Sequence, residues 1–144
     1  MKTAPNSTPQ FARIKSIHVN DSEKSNVPES SRNTVMQHLI SLQDNDLDSV
    51  VADYTNESVL ITPFAAYKGQ EEIKSFFTDL IRHFPKQKSR FELDKVVVNN
   101  DMVYIVWHAN TPSLEVSFAS DTFILKGGKI HQQTFAGELN YIHG

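Results

Sequence analysis

The sequence predicts an α+β domain in which three helices precede a long antiparallel meander. Up to Pro85 the apolar residues recur at helical spacing in three separate stretches. Beyond it they fall in strand-length runs divided by turn signals. The chain has 144 residues, 39% hydrophobic and 22% charged, which suits one domain with a full-sized core. Long strands with three helices on one side predict a sheet that curls into a cone around an internal cavity.

Residues Met1 to Arg32 are rich in Ser, Asn, Pro, Thr and Lys and predict a poorly ordered leader. The alternative is that FARIKSIHV adds a strand or short helix to the domain or to a partner. From Asn33, residues Val35, His38, Leu39 and Leu42 give a first amphipathic helix, with Ser31 or Asn33 as its N-cap. Asp44-Asn45 breaks it, and Asp46 can cap a second helix carrying Leu47, Val50, Val51 and Tyr54. Val59-Leu60-Ile61 reads as a short strand ended by Pro63, and Phe64 to Gly69 as a loop. Glu71 and Glu72 suit the first turn of a third helix, whose stripe is Ile73, Phe76, Phe77 and Leu80. Then come strands Phe91 to Val98 and Met102 to Ala109, and a last hairpin from Leu114 turning at Lys126-Gly127-Gly128-Lys129.

Composition excludes several function classes. A net charge of −3, with scattered basic residues, gives no electrostatic reason to expect nucleic acid. No apolar run is long enough to span a bilayer. The absence of cysteine removes disulfides, thiolate metal sites and a cysteine nucleophile, and fits a reducing, cytoplasmic setting. The histidines show no metal-ligand spacing, and neither a phosphate-binding glycine loop nor a nucleophile elbow is present, so no metal and no cofactor are expected.

In the last hairpin, strict alternation sets Glu115, Ser117, Ala119, Asp121, Phe123 and Leu125 on one face, and Leu114, Val116, Phe118, Ser120, Thr122 and Ile124 on the other. Both faces become apolar around Asp121. A carboxylate there needs a partner or a raised pKa. His38 stands inward on the first helical stripe, where a core histidine with one hydrogen bond is the commoner role.

The run DLDSVVADYTNESVLITPFAAYKGQEEIKSFF, followed by a meander ending SDTFILKGGKI, resembles the nuclear transport factor 2-like superfamily, in its SnoaL-like and ketosteroid isomerase-like branch. The resemblance covers about Asn33 to Gly144. It implies a curved mixed sheet of about six strands with the three helices on its concave face and a pocket between. It also places pocket residues. The position of the isomerases' oxyanion-binding tyrosine is His38, that of their general base is Thr62, and that of their second oxyanion donor is Asp121. A threonine is no base near neutral pH. The steroid isomerase reaction in its familiar form is therefore not expected.

What the resemblance leaves is an Asp121–His38 pair as the candidate catalytic unit. Tyr54, Thr62, Phe64, Phe77, Gln133 and Phe135 are candidate ligand contacts, and His131 shares the face of Gln133 and Phe135. An apolar cavity of this kind suits a small, flat, hydrophobic carbonyl compound. The expected reading is cofactor-independent isomerisation, cyclisation or dehydration, and the alternative is a non-catalytic binding or dimerisation module. The superfamily also implies a homodimer through the open sheet face, with Tyr104, Trp107 or Phe118 buried there.

Overall fold

The computed structural model describes residues 17–19 and 26–142. In chain order the elements are β1 (Ile17–Val19), α1 (Val27–Gln43), α2 (Leu47–Ala52), β2 (Tyr54–Ile61), β3 (Ala66–Lys68), α3 (Gly69–Ile81), β4 (Arg90–Asn99), β5 (Met102–Asn110), β6 (Leu114–Lys126) and β7 (Lys129–Tyr141). The seven strands form one sheet in the order β1-β4-β5-β6-β7-β2-β3. The β1/β4 and β2/β7 pairs are parallel and the others antiparallel, so the sheet is mixed. The cone is thus the expected six strands with the three-residue β1 added at one edge.

The helices cover the concave face. Val35, His38 and Leu39 of α1, Val50 of α2, and Ile73 and Phe77 of α3 are buried against Leu60, Val96, Ile105, Phe123 and Ile130 of the sheet. Asn45, with φ 56, makes the left-handed turn between α1 and α2. Asp46 caps α2 by accepting the Ser49 N–H at 3.2 Å and its hydroxyl at 2.6 Å. Glu72 accepts the Lys68 N–H at 2.9 Å and closes the first turn of α3.

Several boundaries differ from the expectation. Helix α1 begins at Val27 rather than at Asn33, with Asn26 in the N-cap position. Its first turns carry no apolar stripe; Pro28, pre-organised for a helix start, is the signal that marks them. Residues 17–19 pair in parallel with β4, from Ile17 opposite Val96 to Val19 opposite Val98. The expected leader therefore gives a strand and the first turns of α1, and the rest of it lies outside the described residues. The predicted loop from Phe64 to Gly69 contains β3.

Tyr54 is the first residue of β2 rather than the last of α2. The helical spacing ran on past Asp53, where the helix actually stops. Strand β2 is correspondingly longer than Val59-Leu60-Ile61. Its first half bulges between Tyr54 and Val59, where Ser58 accepts the Thr55 N–H at 2.8 Å and donates to Ile130 O at 2.6 Å.

Alternation along β6 breaks at Ser117 and Phe118, where the register to β7 shifts. Leu114 and Val116 point inward before the bulge, and Ala119, Asp121, Phe123 and Leu125 after it. The bulge puts Phe118 on the outer face, 54% exposed. A second shift follows Ile130 in β7, so Ile130 and Gln133 both face inward and His131 does not share their face.

Candidate functional site

The inner ends of α1, β2, β5, β6 and β7, with the C-cap of α2, bring six polar side chains into one line. Asp53 ends α2, and its Oδ2 lies 2.9 Å from His38 Nδ1. His38 Nε2 lies 3.2 Å from the Tyr54 hydroxyl. That hydroxyl donates to Gln133 Oε1 in a short hydrogen bond. Gln133 Nε2 donates to Asp121 Oδ2 at 2.8 Å, and the Trp107 indole N–H donates to Asp121 Oδ1 at 2.7 Å. His38 and Asp121 are therefore not hydrogen-bonded to each other. Tyr54 and Gln133 stand between them.

Strand geometry explains the line. Gln133 and Asp121 sit on neighbouring antiparallel strands, Asp121 opposite Phe135, so Gln133 is the diagonal inward neighbour. Trp107 is the inward neighbour of Asp121 across β5, where Ile105 stands directly opposite it. Tyr54 enters from the far side of β7, pinned by Gln70 Nε2, which donates to its carbonyl at 2.8 Å. The rings of Phe77 and Phe123 pack edge-on against His38 and fix its plane.

Burial decides the charges. The Asp121 carboxyl is pushed up from 3.8 to about 6, because it is taken out of water; the Trp107 and Gln133 donors and the nearby His38 oppose the rise. The Tyr54 phenol is pushed well above its ordinary value, first by burial and then by Asp121 and Asp53. It therefore stays a hydroxyl and a donor at any ordinary pH.

A cavity of about 980 Å³ opens over this line. Its deep wall carries Asp121, Gln133, Trp107 and His38, and its sides are Leu39, Phe76, Phe77, Leu80, Phe91, Phe123 and Phe135. Asp79, His83, Lys86 and Gln87 also line it. Among the described residues no group of His, Asp or Glu is placed to hold a metal ion.

Residues 35–133 match the model of the SnoaL-like domain. The chain belongs to the SnoaL-like domain family.

Solved structures with the same fold accompany that match. The epoxide hydrolase/cyclase-like enzyme SalBIII, of pyran ring formation in the polyether salinomycin, superposes with a TM-score of 0.67 at 15% identity, over 79% of this chain and 97% of that one. An LEH-like epoxide hydrolase of M. tuberculosis gives 0.62 at 16% identity, over 77% and 84%. A ketosteroid isomerase candidate from Kribbella flavida gives 0.65 at 8% identity, over 81% and 84%. At these identities the likeness is one of fold. No curated protein sequence matches the chain.

Within this SnoaL-like domain the predicted site residues are placed unequally. His38, Asp121, Thr62, Phe64, Phe77, Gln133 and Phe135 all line the cavity. The Thr62 hydroxyl is engaged in its own turn: it donates to Ala65 O at 3.2 Å and accepts the N–H groups of Phe64 at 3.1 Å and Ala65 at 3.2 Å. Phe64 is 80% exposed and sits on the rim. Tyr54 lies in the wall behind the cavity and meets the site through its hydrogen bonds to His38 and Gln133 and its ring contact with Phe77. Trp107 faces the cavity, stacked on Phe91 with ring centroids 5.0 Å apart, and not the open sheet face. Asp53 was not singled out. An aspartate after Val50-Val51-Ala52 reads as a plain helix end, and only the parallel β2/β7 pairing turns it toward His38.

Among the described residues no helix is long and apolar enough to cross a membrane.

Proposed function

We propose that this SnoaL-like domain binds a small hydrophobic molecule bearing a carbonyl or similar oxygen function, and that Asp121 exchanges a proton with it. The observation that carries the reading is a carboxyl set into an apolar, aromatic cavity wall with its charge balance near neutrality. A carboxyl at about 6 is present in both forms near neutral pH, which is the condition for efficient general acid–base catalysis. The ionised form takes a proton from carbon next to a carbonyl, the C–H pair moving toward the carbonyl oxygen. The protonated form returns it at a neighbouring atom or delivers it to a departing hydroxyl. Isomerisation, cyclisation and dehydration all fit that exchange without a cofactor. His38 takes part through Tyr54 and Gln133 rather than as a direct partner of Asp121.

A second reading, ligand binding without turnover, is favoured by Thr62, whose hydroxyl is committed to its own turn. Turnover and affinity separate the two. Ring-bearing hydrophobic ketones and epoxides are offered to the wild type and to Asp121→Asn, with product and binding measured in parallel. Acid–base catalysis predicts that Asp121→Asn loses at least 100-fold in turnover and changes affinity far less. Binding without product in the wild type, together with an affinity change in Asp121→Asn, establishes the second reading. The proposal is completed by a homodimer through the open sheet face and, in a chain free of cysteine, by a cytoplasmic setting.

A further inference from the structure

The hydrogen bonds behind Asp121 allow more than support. In the observed arrangement the Tyr54 hydroxyl spends its one hydrogen on Gln133 Oε1, and Gln133 Nε2 donates to Asp121. The His38 Nε2 beside that hydroxyl must then be a donor. An ionised Asp53 only accepts, so Nδ1 must donate as well. This arrangement asks for a doubly protonated His38 and suits an ionised Asp121.

A second arrangement satisfies the same atoms. Turn the Gln133 amide over, so that its N–H₂ donates to the Tyr54 oxygen. The Tyr54 hydrogen then points to His38 Nε2, which has given up its proton, while Nδ1–H still donates to Asp53. Gln133 Oε1 now faces Asp121, which must hold a proton to donate. One proton has left His38 and one has reached Asp121, each exchanged with water or ligand, and the total charge is unchanged. An ionised Asp121 beside a neutral His38 leaves two acceptors facing each other at a buried site, which is costly; a protonated Asp121 beside a protonated His38 carries no such cost, since the acid still accepts from Gln133 and Trp107.

We propose that Tyr54 and Gln133 form a two-state hydrogen-bond switch through which the ionised form of Asp121 in the cavity requires the protonated form of His38 behind the wall. It rests on the acid–base reading of Asp121 and adds its regulation: a His38 that has lost its proton holds Asp121 in the acid form. Tyr54 and Gln133 are positioning residues here, and Asp53 is the group that holds His38 from the solvent side, its side chain 24% exposed. The groups facing Asp121 are Trp107 from β5, Gln133 from β7, His38 from α1 and Tyr54 from β2. Of these only His38 and Tyr54 titrate, and Tyr54 stays protonated.

The chain reports both ends of the switch. Trp107 is the only tryptophan, and its indole N–H is bonded to Asp121, so its ¹H–¹⁵N signal follows the charge there. The ring nitrogens of His38 report its own state. In ¹⁵N-labelled wild type every pH step seen at one end is expected to appear in the signal of the other end as well, as for a coupled pair. Asp121→Asn imposes the turned-over amide, and His38 Nε2 is expected to lose its proton at a pH where the wild type keeps it. In Asp121→Asn/Tyr54→Phe that loss disappears, because the hydroxyl that carries it is gone. The same loss persisting in full without the hydroxyl shows a through-space field and overturns the switch, as do wild-type signals that each follow steps absent from the other. Gln133→Leu cuts the other link and serves if Tyr54→Phe does not fold. The switch itself is read without substrate, and turnover separates it from the acid–base reading. Loss of turnover in Asp121→Asn beside uncoupled signals overturns the switch alone, and retained turnover overturns the acid–base reading.

Discussion

Asp121 pays for its position in stability. Its folded pKa of about 6 exceeds the ordinary 3.8, so the native state holds the proton more tightly than the unfolded chain. Native stability from this group is full below about 3.8 and falls as pH rises through about 6, because the unfolded state then ionises more readily. The size is on the order of 3 kcal/mol. Asp121→Asn removes that penalty, and urea unfolding at pH 4.5 and 8 is the measurement. The variant should gain on the wild type between the two pH values by roughly 2 kcal/mol; an unchanged difference would mean that the carboxyl stays ionised at both. Asp121 itself was legible in the sequence, as a carboxylate in an apolar strand. Its actual partners were less so. Gln133 stood out as a polar residue on the last strand, but Trp107 and Tyr54 each had a plainer role available in the core. Pairwise reasoning joined His38 directly to Asp121, because sequence places residues on faces and does not measure the gap between them.

At the level of elements, side chains change face where an irregular residue shifts the period. Helix stripes and the Gly127-Gly128 hairpin followed from regular spacing. The bulge at Ser117 and Phe118, the shift after Ile130 and the stop of α2 at Ala52 did not. Each moves side chains to a new face, and the last two create the site by bringing Tyr54 to Gln133. The close approach of β6 and β7 beside the first bulge has a marker in Gly137. A Cβ built there lies 2.8 Å from the Ala119 Cβ and 3.0 Å from Phe118 O. Gly137→Ala must push two paired strands apart, and urea unfolding should show a loss of about 1–3 kcal/mol. A neutral result would mean that the strands separate freely. Asp46→Ala deprives α2 of its cap, and the same measurement should show a loss of stability. A six-residue helix has little else to hold its first turn. That loss should shrink at low pH, since the bonds to Ser49 hold the Asp46 carboxyl below its ordinary value.

At the scale of the molecule the sheet has two faces with separate duties. The concave face holds the cavity and the Asp53-to-Trp107 line. The outer face carries Met102, Tyr104 and Phe118, all exposed, with half-buried Val106 and Ile124 among them. Three large apolar side chains on one uncovered sheet face are more than solvation alone favours, and a second copy laid face to face would cover them. Stable association needs about 800 Å² from each partner, which a sheet of this width can supply. The bulge that turns Phe118 outward puts it among them, whereas Trp107 belongs to the cavity. Phe118→Glu therefore tests the face without touching the site. Sedimentation equilibrium should show a concentration-dependent dimer for the wild type and a monomer for Phe118→Glu, with the Trp107 indole signal unchanged in both. A wild type that stays monomeric at hundreds of micromolar would remove the dimer. A variant that dissociates and also loses the Trp107 signal would instead show that the two faces are coupled through the sheet. Because β6 bears both Phe118 and Asp121, that strand is where such coupling would have to run.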